Sequence, residues 1–199
     1  MPPETAPARL LASASEVLNA WGIRWYIFGA QAAAVWGRPR MTADVDITVK
    51  LEPEDSARFC QDMERAGFKL RVVDRDDFLA RTRVIPLLHV ETQMPLDVVL
   101  AGPGIEEMFL SRAVQVDIDG VSVPVASPED VIVMKVMAGR PKDQEDVATV
   151  LRERWRKLDL EYIRDTLRLL EQALDQSDLL PAFEAQLKRV QQTRVPGVV

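Results

Sequence analysis

The sequence predicts an α/β (α+β) fold, and three observations carry that prediction. Short runs rich in aromatic and β-branched residues alternate with helical spacing as far as about residue 126. At Ser127-Pro128-Glu129-Asp130 the character changes, and only helical periodicity follows. The length, 199 residues, suits one domain of ordinary size or a catalytic domain with a small helical appendage. The expected organisation is an α/β core over residues 1–126 and a helical C-terminal region over 127–199, packed on that core.

The elements follow in order. Leu10, Leu11, Val17, Leu18 and Trp21 fall at near-helical spacing and Gly22 ends the run, which predicts an amphipathic helix over 7–21. Trp25-Tyr26-Ile27-Phe28 is a short strand broken by Gly29, and Ala30 to Trp36 is a helix stopped by Gly37. Val45 to Val49 alternates polar and apolar residues as a strand does. Glu52 to Ala66 is a helix, with Pro53 in its first turn and Gly67 after its end. Phe68 to Val73, Val84 to Val90 and Leu96 to Leu100 are strands, whereas Asp74, Asp76 and Asp77 with Arg71 and Arg75 read as an exposed loop. Val114 to Ile118 and Val121 to Val125, joined by Asp119-Gly120, form a hairpin. Ser127 is placed to cap a helix that starts at Pro128 with acids in its first turn. Helices are expected at roughly 128–138, 142–156, 159–175 and 178–192.

Composition removes several functional classes. No apolar run approaches the roughly 20 residues of a membrane-spanning helix. Met1-Pro2-Pro3-Glu4 lacks the basic start and apolar stretch of a signal peptide, so the expected location is cytoplasmic, with no membrane partner. The single Cys60 allows neither an intrachain disulfide nor a cysteine zinc cage, and the single His89 argues against a Ser–His–Asp triad. His89, Cys60, Trp21, Trp25 and Trp36 are read as core residues. The net charge of -6 arises between residues 51 and 150, where nineteen acidic side chains face eleven basic ones. That excess speaks against a chain-wide basic footprint for nucleic acid. It suits a cation-binding centre or a solvated acidic surface.

Asp44-Val45-Asp46 carries the chemistry. Residues two apart on a strand share a face, so both carboxylates point one way while Val45, Ile47 and Val49 point the other. Such a pair is either the polar face of a half-exposed strand or a ligand set for a hard divalent ion such as Mg²⁺ or Mn²⁺. Upstream, Gly29 permits close backbone approach at a strand-to-helix turn, and the helix N-terminus that follows offers free N–H groups to a phosphate. Arg38 and Arg40 can neutralise phosphate charge, and Thr42 can hydrogen-bond near the carboxylates. Asp97 opens the apolar strand of Pro95 to Leu100, where an acid needs a cation, a helix cap or an Arg partner.

Taken together, Phe28-Gly29-Ala30-Gln31-Ala32, Gly37-Arg38-Pro39-Arg40-Met41-Thr42 and Ala43-Asp44-Val45-Asp46-Ile47 resemble the polymerase-β-like nucleotidyltransferase superfamily. The pattern is similar to that of the branch containing the AbiEii-type toxin nucleotidyltransferases and their relatives. Lys135, then Arg140, Asp143 and Asp146 in Gly139-Arg140-Pro141-Lys142-Asp143-Gln144-Glu145-Asp146, resemble that branch's second motif. The resemblance spans roughly residues 20–150.

It implies a mixed sheet flanked by helices and transfer of a nucleoside monophosphate from an NTP with two metal ions, Mg²⁺ or Mn²⁺. By the resemblance, Asp44, Asp46 and Asp97 bind metal. Gly29, Ala30, Arg40, Thr42, Lys135 and Arg140 contact nucleotide and phosphate, supported by Asp143 and Asp146. One position departs from the pattern: residue 30 is alanine where the family has glycine or serine, so only a backbone N–H is offered there. The acceptor implied is tRNA, a protein side chain or a small molecule, in a toxin–antitoxin setting with an antitoxin partner. The alternatives are a non-catalytic binding or regulatory module on the same fold and an aminoglycoside nucleotidyltransferase.

Overall fold

The computed structural model describes residues 5–193. They form two compact units. One runs to Gln31 and resumes from Met41 to Ala126; the other takes Ala32–Arg40 and the chain from Ser127 onward.

The first unit is built on a seven-stranded mixed sheet of order β3-β4-β5-β2-β1-β7-β6. Its strands are β1 (Trp25–Phe28), β2 (Val45–Val49), β3 (Phe68–Leu70), β4 (Val84–His89), β5 (Met94–Leu100), β6 (Val114–Ile118) and β7 (Val121–Val125). β2 runs parallel to β5 and β1 parallel to β7, while the other neighbours pair antiparallel. Strand alternation divides the central strands into two faces. Val45, Ile47 and Val49 on β2 stand in register with Leu96, Val98 and Leu100 on β5, and all six are buried. Helix α1 (Ala6–Ala20) packs on β5 and β7 and buries Leu10, Leu11 and Leu18. Helix α3 (Ser56–Arg65) packs on α1 and β3 through Phe59 and Met63. The opposite face carries Asp46 and Asp97.

Three local outcomes differ from the sequence reading. The strand expected over Phe68 to Val73 ends at Leu70, and the stretch taken for an exposed loop becomes helix α4 (Arg75–Thr82). Asp74 caps it by accepting from the Asp77 N–H at 2.9 Å, and Asp76 and Asp77 lie in its first turn, where negative charge suits the helix dipole. The acids that suggested solvent were the helix start. Helix α5 (Ile105–Arg112), again with two acids in its first turn, was not anticipated at all. The Asp119-Gly120 hairpin turn has positive φ at both residues, as a two-residue connection of right-handed strands requires.

The second unit is helical. α6 (Pro128–Ala138), α7 (Pro141–Arg154), α8 (Leu160–Leu174) and α9 (Leu179–Thr193) follow one another, and α6 packs on each of the other three. Its centrality explains its composition: Val131, Ile132, Val133 and Val136 are buried, and so are Asp130 and Lys135. Ser127 caps α6 by accepting from the Asp130 N–H at 3.1 Å. The Tyr162 hydroxyl donates to the Asp130 carboxylate at 2.6 Å, so the buried acid is satisfied. Helix α2 (Gly29–Trp36) starts in the first unit, and its residues from Ala32 belong to the second. Among the described residues no helix is long and apolar enough to cross a membrane.

Candidate active site

Register places the carboxylates. β2 and β5 run parallel with Asp46 opposite Asp97, so the two side chains emerge side by side on the face away from Ile47 and Val98. Both are half-buried, as is Asp44 just before β2. Like charges so arranged repel unless a cation lies between or beside them.

Gly29 fixes the other side of Asp46. It has φ +67° at the junction of β1 and α2, a backbone conformation that favours glycine. A β-carbon there would stand 3.0 Å from the Asp46 carboxyl carbon and closer still to one of its oxygens. The strand–Gly–helix turn therefore leaves the Asp46 carboxylate packed against bare backbone at the first residues of α2. Ala30 lies in that first turn and is half-buried. Thr42 donates to the Gln31 side-chain oxygen at 2.9 Å, which ties the segment leading to Asp44 back to α2.

Asp97 is paired with Arg71. Arg71 follows β3, and its backbone N–H donates to the Pro86 carbonyl at 2.9 Å. Pro86 on β4 is the register partner of Asp97, so Arg71, Pro86, Asp97, Asp46 and Phe28 form one row across the sheet. The sequence reading assigned Arg71 to a loop and missed this pair. The signal was its alternation with Phe68 and Leu70, which sets Arg71 on the face opposite the core. Of the ways to satisfy Asp97, the structure takes the arginine.

The remaining residues singled out in the sequence gather in the second unit. The Lys135 ammonium is buried between the carboxylates of Asp143, at 2.8 Å, and Asp146, at 2.9 Å. Arg40 grips Asp146 with two hydrogen bonds, of 3.1 and 3.0 Å, and Arg140 bonds Asp143 at 2.5 Å. Three cations thus surround two buried carboxylates. Burial pushes the Asp143 carboxyl up, but hydrogen bonds from Arg140 and Lys135 outweigh it and hold it below its ordinary value.

Asp44, Asp46 and Asp97 offer only carboxylate oxygens, the donor chemistry that hard divalent ions prefer. Asp46 and Asp97 share a register position and a face of the sheet, and a guanidinium supplies positive charge at Asp97. Among the described residues no three acidic, histidine or cysteine side chains are drawn together closely enough to hold a metal in this conformation.

The solution structure of the antibiotic-resistance factor ANT(2'')-Ia matches 86% of this chain and 97% of its own length, with a TM-score of 0.60 and 16% identity. A crystal structure of the same factor with adenylyl-2''-tobramycin gives 0.55 and 17%, covering 92% and 99%. The lincosamide antibiotic adenylyltransferase LnuA with lincomycin bound gives 0.52 and 15%, covering 73% of this chain and 96% of its own. These likenesses are of fold, and the mixed sheet with its helices is the one expected of a polymerase-β-like nucleotidyltransferase. No curated protein matches the chain. The model of the family described as "Nucleotidyltransferase of unknown function (DUF6036)" matches residues 10–178, and the chain belongs to that nucleotidyltransferase family.

Proposed function

We propose that the protein is a divalent-metal-dependent nucleotidyltransferase that moves a nucleoside monophosphate from an NTP to a hydroxyl of a small polar acceptor. The observation that carries this reading is the register of Asp46 with Asp97 beside the Gly29 turn. Asp44, Asp46 and Asp97 would hold Mg²⁺ or Mn²⁺, which supplies charge neutralisation for the triphosphate and orients it for in-line displacement. The backbone N–H groups of Gly29 and Ala30, in the first turn of α2, would bind phosphate. Asp97 accepts the proton as the acceptor oxygen bonds to the α-phosphorus. The bond from that phosphorus to the bridging oxygen breaks, and pyrophosphate leaves.

The acceptor class is supported by neighbours named for antibiotics and by the net charge of -6, which suits a cationic small molecule better than RNA phosphates. The toxin–antitoxin setting and an antitoxin partner rest on motif resemblance alone. Arg40, Lys135 and Arg140 keep phosphate contact as a secondary assignment, because each is already bonded to Asp143 or Asp146.

The test is incubation with each α-labelled NTP, Mg²⁺ and a panel of aminoglycosides, lincosamides, tRNA and bulk protein. Label should pass to a small acceptor with wild type and fall at least about a thousandfold with Asp46→Asn, in line with loss of a charge-stabilising group. Transfer that survives the double variant Asp44→Ala, Asp46→Ala would falsify the assignment. The absence of NTP binding at millimolar concentration would favour the non-catalytic module, a reading supported by Ala30 and by the Arg71 contact on Asp97.

A further inference from the structure

Arg71 is given no role in the transfer chemistry, yet its contact with Asp97 is specific. Asp97 and Asp46 are register partners on adjacent parallel strands, so two carboxylates stand side by side. Asp97 takes its positive partner from two strands away. Arg71 leaves the chain just beyond the end of β3, and its side chain passes Pro86 on β4 to reach Asp97 on β5.

The attachment of Arg71 is divided between two partners. Its Nε donates to the Leu87 carbonyl at 3.0 Å, and only Nη2 contacts the Asp97 carboxylate. Losing the carboxylate would leave the side chain anchored to β4 by Nε and by the bond of its own backbone N–H to Pro86. The side chains of Arg71 and Asp97 are 35% and 34% exposed, so the pair is screened by water and readily exchanged. A divalent ion carries twice the charge and can be ligated by both carboxylates at once.

We propose that Arg71 is a positioning residue that occupies on Asp97 the place a divalent ion takes, so that metal loading requires the guanidinium to leave the carboxylate. The inference rests on the reading of Asp46 and Asp97 as metal-binding residues. Arg71 holds the Asp97 side chain in place and competes with a metal ion for its carboxylate.

The test is a titration with Mn²⁺ alone, following the electron paramagnetic resonance signal of the free ion, for wild type, Arg71→Gln, Arg71→Lys and Asp46→Asn. Arg71→Gln should bind Mn²⁺ about three- to tenfold more tightly than wild type, the range expected from removing one half-exposed charge. Arg71→Lys, which keeps the charge, should stay near wild type. Should Arg71→Gln not fold, Arg71→Met keeps the stem beside Pro86 and serves the same comparison. Equal or weaker binding by Arg71→Gln, with Asp46→Asn still abolishing it, overturns the role of Arg71 and leaves the metal site standing. No Mn²⁺ binding by wild type or either Arg71 variant overturns both.

Discussion

The Asp46 carboxylate lies against the α-carbon of Gly29, in the space a side chain at residue 29 would fill. The loop glycine and the strand carboxylate are therefore one feature. Gly29→Ala meets a positive φ and a collision together, so Asp46 must turn away or the β1–α2 junction must shift. The expected loss is about 1–3 kcal/mol in denaturant unfolding. Transferase activity should fall about tenfold to a hundredfold, because Asp46 is displaced by a fraction of an ångström or more. Unchanged stability and turnover in Gly29→Ala would contradict the close approach.

The buried Lys135 ammonium makes a prediction about stability. Lys135→Met strips the cation from between Asp143 and Asp146, which Arg40 and Arg140 then neutralise only from their outer sides. Breaking a buried pair in this way costs about 3 kcal/mol. Urea unfolding followed by helical circular dichroism reads it directly. Adding Asp143→Asn to Lys135→Met should recover part of the loss. A change within about 0.5 kcal/mol, the range of an ordinary surface substitution, would remove Lys135 from the buried network.

His89 is the chain's only histidine, so its titration is read without overlap. Its Nδ1 lies 2.9 Å from the Thr92 hydroxyl, and its ring centroid is 4.9 Å from that of Phe68, with the planes tilted by 43°. Burial holds the imidazole below its ordinary value of 6.5, against a smaller opposing pull from Glu91. The folded state thus favours the neutral ring. Its contribution is complete above about pH 6.5, the unfolded value, and is lost as pH falls through the folded value. Proton NMR should show the single imidazole titrating below 6.5, and His89→Gln should flatten the stability profile as pH falls below about 6.5. The depressed Asp143 carboxyl gives a separate acid step: its contribution is present above about pH 3.9 and disappears as pH falls through its lower folded value.

Much of the fold was legible because periodicity is local. Val45-Asp46-Ile47 states in three letters which side of a strand is core, and Ser127-Pro128 states where a helix starts. The acidic starts of α4 and α5 were not read, because charge near a helix N-terminus and charge in a loop look alike until the cap is seen. The site divides in the same way. Spacing paired Asp44 with Asp46, but no spacing could put Asp97 in register with Asp46 or bring Arg71 to it across Pro86. The partners of Lys135 were in view as sequence neighbours, whereas its burial depends on the packing of α6 among three helices.

The allotment of Ala32–Arg40 to the second unit has a consequence for synthesis. The groups that hold this segment lie far downstream: Arg40 meets Asp146, Arg38 meets Glu153, and the Trp36 carbonyl accepts from Arg154. On the ribosome, the segment waits more than a hundred residues for those partners to emerge, while the strands on both sides of it are already available to pair. A chain stopped at Ala126 would keep the aspartates and the Thr42–Gln31 bond but never acquire the partners of Trp36, Arg38 and Arg40. Nascent chains arrested at successive lengths should therefore resist protease at residues 37–41 only after α7 has cleared the exit tunnel.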